Sequence, residues 1–366
     1  MTWKKPKLSQ AEWTSLRLRG LYEQFGYRKY HVGQFEEYGL YMRFKSFLTG
    51  GRILSFTDLD GRLLALKPDI TLSIAKNARL AGGAEKSYYI ENVYRESASS
   101  GAMKEINQMG LEYLGGDGAY AQAEALYLAR ETLKLAGPEY VLELSHMGYL
   151  QGLFDALELE GEALERVLGC LSAKSVHGVT EEARRAGIGE MGVRALCELC
   201  TLSGSFADTL ARARGLCLNE RMRAALNDLE QAASAAGIDD HLRLDFTLQG
   251  DMEYYDGLMM AGYLQGAPRA VLYGGRYDGL MKKLGRDVCA VGFALYLDEL
   301  KGLPREHHEN DVDVLLLAPA GTDSAALMRA VRDIAKDGSS VRVTEAPPEG
   351  LRYGTLVRYG EEREKC

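Results

Sequence analysis

Hairpins rich in aromatic and β-branched residues alternate with amphipathic helices, and this mixture predicts an α+β fold whose main sheet is antiparallel. Three stretches carry the prediction. Residues 53–58 and 63–67 are β-rich and are joined by Leu59-Asp60-Gly61-Arg62, where Asp-Gly is a strong hairpin signal. Residues 86–95 and 105–114 form a second β-rich pair around a small polar loop, 96–104. Residues 147–237 are helix-rich and poor in β-branched residues, which reads as a helical insertion.

Taken in order, residues 9–26 place Trp13, Leu16, Leu18, Leu21 and Tyr22 on an apolar side and stop at Gly26, so they predict an amphipathic helix. An extended segment, 27–38, leads through Phe35-Glu36 to helical spacing over 40–48, which Gly50-Gly51 breaks. After the first hairpin, Pro68 closes the strand and Asp69 is placed to cap a helix over 70–80. The second hairpin ends at Gly115-Gly116, and helix 119–136 stops at Gly137-Pro138. A strand follows at 139–145. Beyond the insertion, strands are predicted at 241–248 and 253–263. Residues 269–300 then read as strand, glycine turn at Gly274-Gly275, short polar helix, strand 288–295, and a helix ending near Gly302. That final turn carries Asp298 and Glu299 and no base.

The organisation expected is a main body over 1–303 with its insertion at about 147–237, a polar linker at 304–311 containing Pro304, and a small α/β unit at 312–366. In that unit, strand 312–318, a helix over 324–336 capped at Gly321-Thr322-Asp323, and strands 340–345 and 353–358 are expected.

Composition narrows the function class. The chain is 46% hydrophobic and 26% charged, ordinary for a globular protein. Its net charge of −8 argues against a broad nucleic-acid-binding face while leaving room for a local basic patch. No apolar run reaches the roughly 18 residues of a membrane span. The opening MTWKKPKLSQ lacks the apolar core of a signal peptide, and six sparse cysteines point to a reducing, cytoplasmic setting without structural disulfides. Cys197-Glu-Leu-Cys200 is a lone CxxC with no second pair, and it fits two thiols on adjacent helical turns better than zinc. His307-His308 falls in the polar linker. No metal or cofactor is expected.

Four blocks, in order over roughly residues 10–300, resemble histidyl-tRNA synthetase, a class II aminoacyl-tRNA synthetase. They are Phe56-Thr57-Asp58 with residues 64–71; Tyr88-Tyr89 and residues 93–96 with residues 107–112; Glu253-Tyr254-Tyr255; and residues 274–280 with residues 290–295. The resemblance implies a class II synthetase-like antiparallel sheet flanked by helices. It also implies a pocket for histidine formed by Asp69, Thr71, Gln108, Glu112, Tyr254 and Tyr255, with Arg95 at its anion end. Carboxylates suit an ammonium or an imidazole N–H, and tyrosine hydroxyls suit the second ring nitrogen. A vestigial, water-filled pocket of inherited framework is the alternative reading of these residues.

Departures from the enzyme pattern concentrate on the chemistry. The arginine that binds ATP phosphates in the enzymes aligns with Glu299, the glycine near the adenine with Tyr296, and a carboxylate-activating arginine with Gly250. The loop after Arg95 lacks its second arginine, and Gly33 replaces a proline of the first motif. A carboxylate facing a phosphate at ~4 Å costs about 1 kcal/mol in water and about 4 kcal/mol at an effective dielectric of 20. This combination resembles the regulatory subunits of ATP phosphoribosyltransferase, synthetase paralogues that have no catalytic residues of their own. The resemblance implies a short-form catalytic subunit as partner, histidine as effector, and a homodimer within a hetero-oligomer, with no nucleic acid or membrane. A divergent histidyl-tRNA synthetase is the alternative reading.

Overall fold

A computed structural model of the chain describes residues 8–48, 52–80, 83–97, 100–237, 239–248, 254–301, 303 and 310–360. Gly50-Gly51, Gly250, Glu253, Gly302, Pro304 and His307-His308 lie outside the described residues, as does most of the expected linker. The larger compact unit is Gln10–Leu303.

That unit opens with α1 (Gln10–Gln24), β1 (Arg28–Lys29), β2 (Phe35–Glu37) and α2 (Tyr38–Arg43). Next come β3 (Ser55–Thr57), β4 (Leu63–Leu66), α3 (Thr71–Asn77), β5 (Ala84–Glu96), β6 (Met103–Gly115), α4 (Gly118–Ala136) and β7 (Tyr140–His146). The stretch read as an insertion supplies α5 (Met147–Ala156), α6 (Gly161–Ser172), α7 (Val176–Arg185), α8 (Glu190–Cys200), the short β8 (Ser203–Ser205), α9 (Phe206–Gly215) and α10 (Glu220–Ala236). The unit closes with β9 (Leu242–Asp245), β10 (Leu258–Leu264), β11 (Leu272–Arg276), α11 (Asp278–Lys283) and β12 (Ala290–Tyr296).

Nine strands form one sheet in the order β1-β5-β6-β12-β11-β10-β7-β9-β8. It is antiparallel except where β1 joins β5 and β9 joins β7. A second sheet, β2-β4-β3, contains the first hairpin, with Phe56 opposite Leu64. This is the α+β architecture of a large antiparallel sheet flanked by helices. One apolar core lies between the sheet and α1, α4 and the helices of 147–236; the other packs α2, α3 and α11 on the opposite face.

The smaller unit holds β13 (Val312–Leu317), α12 (Ser324–Ile334), β14 (Val341–Thr344) and β15 (Tyr353–Arg358). Its three strands are parallel in the order β14-β13-β15, and Asp323 caps α12 by accepting from the Ala326 N–H at 2.9 Å.

Several local expectations are corrected. Gly274 and Gly275 lie inside β11 rather than in a turn, because a side chain at Gly274 would overlap the Gly292 carbonyl and Phe293. The glycines permit close strand approach at negative φ. The strand expected from 253 begins only at Leu258. Before it, the Asp256 N–H donates to the Arg276 carbonyl at 3.0 Å and its carboxylate accepts the Gly279 N–H at 2.5 Å, which bends the chain. Helix α3 stops at Asn77, where the Arg286 guanidinium takes the carbonyls of Ala75 (3.2 Å) and Ala78 (2.7 Å). Where a helix ending near Gly302 was expected, the described residues directly after β12 form one 3-10 turn, Leu297–Leu300.

One buried ion pair joins the two sheets. Lys67 is fully buried and donates to Glu91 Oε2 at 2.7 Å and to the Val32 carbonyl at 3.0 Å. Glu91 also meets His31 Nδ1 at 2.6 Å. Burial pushes the Glu91 carboxyl up, but Lys67 and His31 outweigh it and hold the group below its ordinary range. Removing one member of such a pair strands a buried charge. Lys67→Met should therefore cost ~3 kcal/mol or more, and Lys67→Met/Glu91→Leu should recover most of the loss. Chemical denaturation measures both, and equal losses in the single and double variants would rule this account out.

Candidate functional site

Strand alternation decides which side chains reach the site. On β6, Gln108, Gly110 and Glu112 share a face, and pairing places Tyr89 of β5 and Gly292 and Tyr296 of β12 on the same side. Glycines keep that face low. A Cβ on Gly292 would overlap the Glu112 carboxylate, one on Gly110 the Tyr89 ring, and one on Gly275 would sit 2.7 Å from the Tyr255 ring. The floor thus opens into a cavity of about 280 Å³.

All seven residues expected from the sequence, Asp69, Thr71, Arg95, Gln108, Glu112, Tyr254 and Tyr255, line this cavity. Tyr296, marked in the sequence by its alignment with the glycine near the adenine, also lines it, as do Tyr89, Tyr273, Tyr277, Met259 and Phe293, which were not singled out. The signal for Tyr89 was available: it shares the alternation of its strand with the expected site residue Arg95. Tyr277 was hidden because the Gly-Arg-Tyr-Asp block reads equally well as fold geometry.

Glu112 anchors the inner end. It is buried; Thr71 Oγ1 donates to its Oε1 at 2.5 Å, and the Tyr277 hydroxyl donates to its Oε2. Burial pushes its carboxyl up to about 8, against the two hydroxyl hydrogen bonds that favour the ionised form. Both its oxygens are occupied by protein groups, so its first role is to hold Thr71 and Tyr277 in place.

Asp69 and Arg95 form the charged wall. The Asp69 carboxylate accepts the Leu72 N–H at 2.7 Å, fixing the start of α3, and stands 3.6 Å from Arg95 Nη2. Burial raises the Asp69 pKa, and Arg95 opposes the rise. Arg95 is held by the Pro68 carbonyl at 2.7 Å from its Nε. Tyrosines close the remaining wall: Tyr254 packs against Tyr255 (ring centroids 4.7 Å) and Tyr277 (5.7 Å), with burial holding their hydroxyls protonated.

Neither acid of the turn after β12 is among the described residues that line the cavity. Glu299 pairs with Arg269 at 2.6 Å, and Asp298 pairs with Lys301 at 2.5 Å and accepts the Asn107 N–H at 2.8 Å. Tyr296 does line the cavity, set edge-on to Tyr273 with ring centroids 6.0 Å apart. Cys197 and Cys200 sit on α8, where burial pushes the Cys200 thiol up to about 11.

Glu112 makes stability depend on pH. Its folded pKa of about 8 lies above the ordinary carboxylate value, so its contribution is complete below that ordinary value and is lost as pH rises through about 8. Wild type should lose stability relative to Glu112→Gln between roughly pH 5 and pH 9. Parallel denaturation profiles for the two proteins across that range would contradict the buried-proton assignment.

Comparison with known proteins places these features in a family. The family model for histidyl-tRNA synthetase matches residues 4–300. An ATP phosphoribosyltransferase regulatory subunit from Symbiobacterium thermophilum is 30% identical over 84% of this chain and 79% of its own. One from Moorella thermoacetica is 29% identical over 92% of this chain and 88% of its own. Among solved structures, an ATP phosphoribosyltransferase regulatory subunit/histidyl-tRNA synthetase from Bacillus halodurans superimposes with a TM-score of 0.77 at 23% identity, covering 98% of both chains. A chain of the ATP phosphoribosyl transferase complex from Thermotoga maritima gives 0.61 at 20% identity, covering 78% of this chain and 96% of that one. With a synthetase body matched along most of its length and curated relatives of this kind, the chain belongs to the histidyl-tRNA synthetase family and, within it, to the ATP phosphoribosyltransferase regulatory subunits.

Proposed function

We propose that the chain is a regulatory, non-catalytic subunit of ATP phosphoribosyltransferase. It activates a short-form catalytic subunit in the first step of histidine biosynthesis, in which ATP and phosphoribosyl pyrophosphate give phosphoribosyl-ATP, and it mediates feedback by histidine. The observation that carries the reading is a cavity with the charges of an amino-acid site in a chain whose curated relatives are regulatory subunits.

An α-amino acid presents its ammonium and carboxylate on one carbon. Asp69 and Arg95, 3.6 Å apart on one wall, offer the matching pair of opposite charges. The tyrosine-lined remainder suits a flat, polar ring such as imidazole. Transfer of a nucleotide needs positive groups on developing phosphate charge. Arg95 is the one arginine or lysine among the described residues lining this cavity, it is engaged by Asp69, and Tyr296 occupies the side where the enzymes keep a glycine. Aminoacylation is accordingly expected to be absent.

A homodimer is supported by the outer face of the β2-β4-β3 sheet. Phe35, Leu54 and Phe56 are exposed there, and the rings of Phe35 and Phe56 meet at 5.1 Å. Histidine would regulate by binding one assembly state more tightly than another.

Four measurements test the proposal. The chain alone should have the mass of two copies by light scattering, should show no histidine-dependent pyrophosphate exchange, and should raise phosphoribosyl-ATP formation when mixed with a short-form catalytic subunit. Robust exchange without activation would favour the synthetase reading instead. Calorimetry should detect histidine binding to the chain or its complex, and Asp69→Asn should weaken it roughly tenfold or more through loss of a charge-assisted contact. Binding that is absent in wild type, or unchanged in the variant, would remove histidine from this cavity.

A further inference from the structure

A second hollow, of about 550 Å³, lies on the same sheet face as the cavity, and Tyr273 lines both. Strand pairing builds its floor. Tyr273 of β11 and Glu143 of β7 are each partners of Ala261 on β10, and Glu143 is in turn the partner of Arg243 on β9. Partners share a face, so one row across four strands carries an aromatic ring, a small residue, an acid and a base. Tyr263 of β10 borders this row, and the turn after α6 brings in Lys174.

Internal partners account for part of the lining. One oxygen of Asp245 accepts the Thr247 N–H at 2.8 Å and the Thr247 hydroxyl at 2.6 Å, and the other accepts Lys174 Nζ at 2.6 Å. That lysine is placed at a backbone cost. It takes φ 50° in the turn that closes α6, where its N–H donates to the Leu171 carbonyl and the Ser175 N–H to the Cys170 carbonyl, a position usually given to glycine.

Glu143 and Arg243 are left over. Glu143 is half-buried and accepts the Tyr263 hydroxyl. Burial pushes its carboxyl up and Asp245 adds to the rise, while Lys174, the Tyr263 hydroxyl and Arg243 oppose it. Neither Glu143 nor Arg243 makes an ion pair among the described residues, although they are cross-strand partners of opposite charge. A half-buried carboxylate gains from a cation or N–H donor, and a guanidinium from an anion. Two acids and two bases line the hollow, so its charges balance, which suits a ligand bringing both signs over one bringing phosphate alone. The tyrosines add flat apolar contact and a face for a cation.

The geometry points to a second binding site, for a free amino acid, with its ammonium on Glu143 and its carboxylate on Arg243. Tyr273 then stands between this ligand and the cavity, edge-on to Tyr296, so filling the hollow restrains one wall of the cavity.

Calorimetry tests the site, titrating the full chain with each of the twenty proteinogenic amino acids and with AMP. Asp69→Asn is the background, because it separates the hollow from any binding in the first cavity. At least one amino acid should bind the Asp69→Asn chain, and adding Glu143→Gln or Arg243→Gln should weaken it roughly tenfold or more. The methyl ester and the N-acetyl derivative of that amino acid, each lacking one charge, should bind as poorly. Arg243 is exposed, so Arg243→Gln decides the matter should Glu143→Gln fail to fold. An affinity that the folded variants leave within about twofold would overturn the site. A wild type that binds an amino acid while Asp69→Asn binds none would overturn the site and leave the regulatory reading standing. A wild type that binds none would remove the amino-acid effector from that reading as well. AMP binding that Glu143→Gln and Arg243→Gln abolish, with no amino acid bound, would give the hollow to nucleotides and overturn the inference.

Discussion

A carboxyl group shut away from water ties four segments of this chain together. Glu112 rises from β6, receives Thr71 from α3 and Tyr277 from the junction of β11 and α11, and lies over Gly292 of β12. None of the four can shift without leaving a buried polar group unsatisfied, which costs about 1–3 kcal/mol or more for a charge. The cavity exists because these elements are held apart at fixed spacing, with glycines where side chains would otherwise fill the gap. The same grip keeps Asp69 at the start of α3 within reach of Arg95.

Much of this was legible in the amino-acid order. Hairpins announced themselves through Asp60-Gly61 and through the aromatic alternation of residues 86–114, and all seven expected site residues converge on one cavity. Tertiary competition hid the rest. Gly274-Gly275 carries the local signature of a turn, yet what those glycines answer to is Phe293, Leu258 and Tyr255, distant in sequence. Asp256 bends the chain through bonds to residues 276–279, so the strand after Tyr255 starts late. Arg286 ends α3 from more than two hundred residues away. Such pairings have no local pattern from which to read them.

The acids after β12 illustrate how charge in a sequence differs from charge in a structure. Aligned against an enzyme, Glu299 reads as repulsion aimed at a phosphate, with Asp298 beside it. In the fold each has a cation of its own, Lys301 and Arg269. The change from the enzyme pattern is therefore better located at Tyr296, whose ring takes up room, and at Arg95, the one arginine or lysine among the described residues lining the cavity, which Asp69 engages. Reduced space and a single pair of opposite charges, Asp69 and Arg95, are what the described lining of the cavity presents.

The nine-stranded sheet ends in β1, of two residues, on one side and β8, of three, on the other. Strands this short offer too few free backbone groups to template a further chain. A protein whose role is assembly faces a particular hazard, since surfaces made to adhere can also polymerise without limit. In the large sheet the end strands that would propagate a fibre are cut to a stub. Growth by strand addition is disfavoured at both ends of the sheet as a consequence.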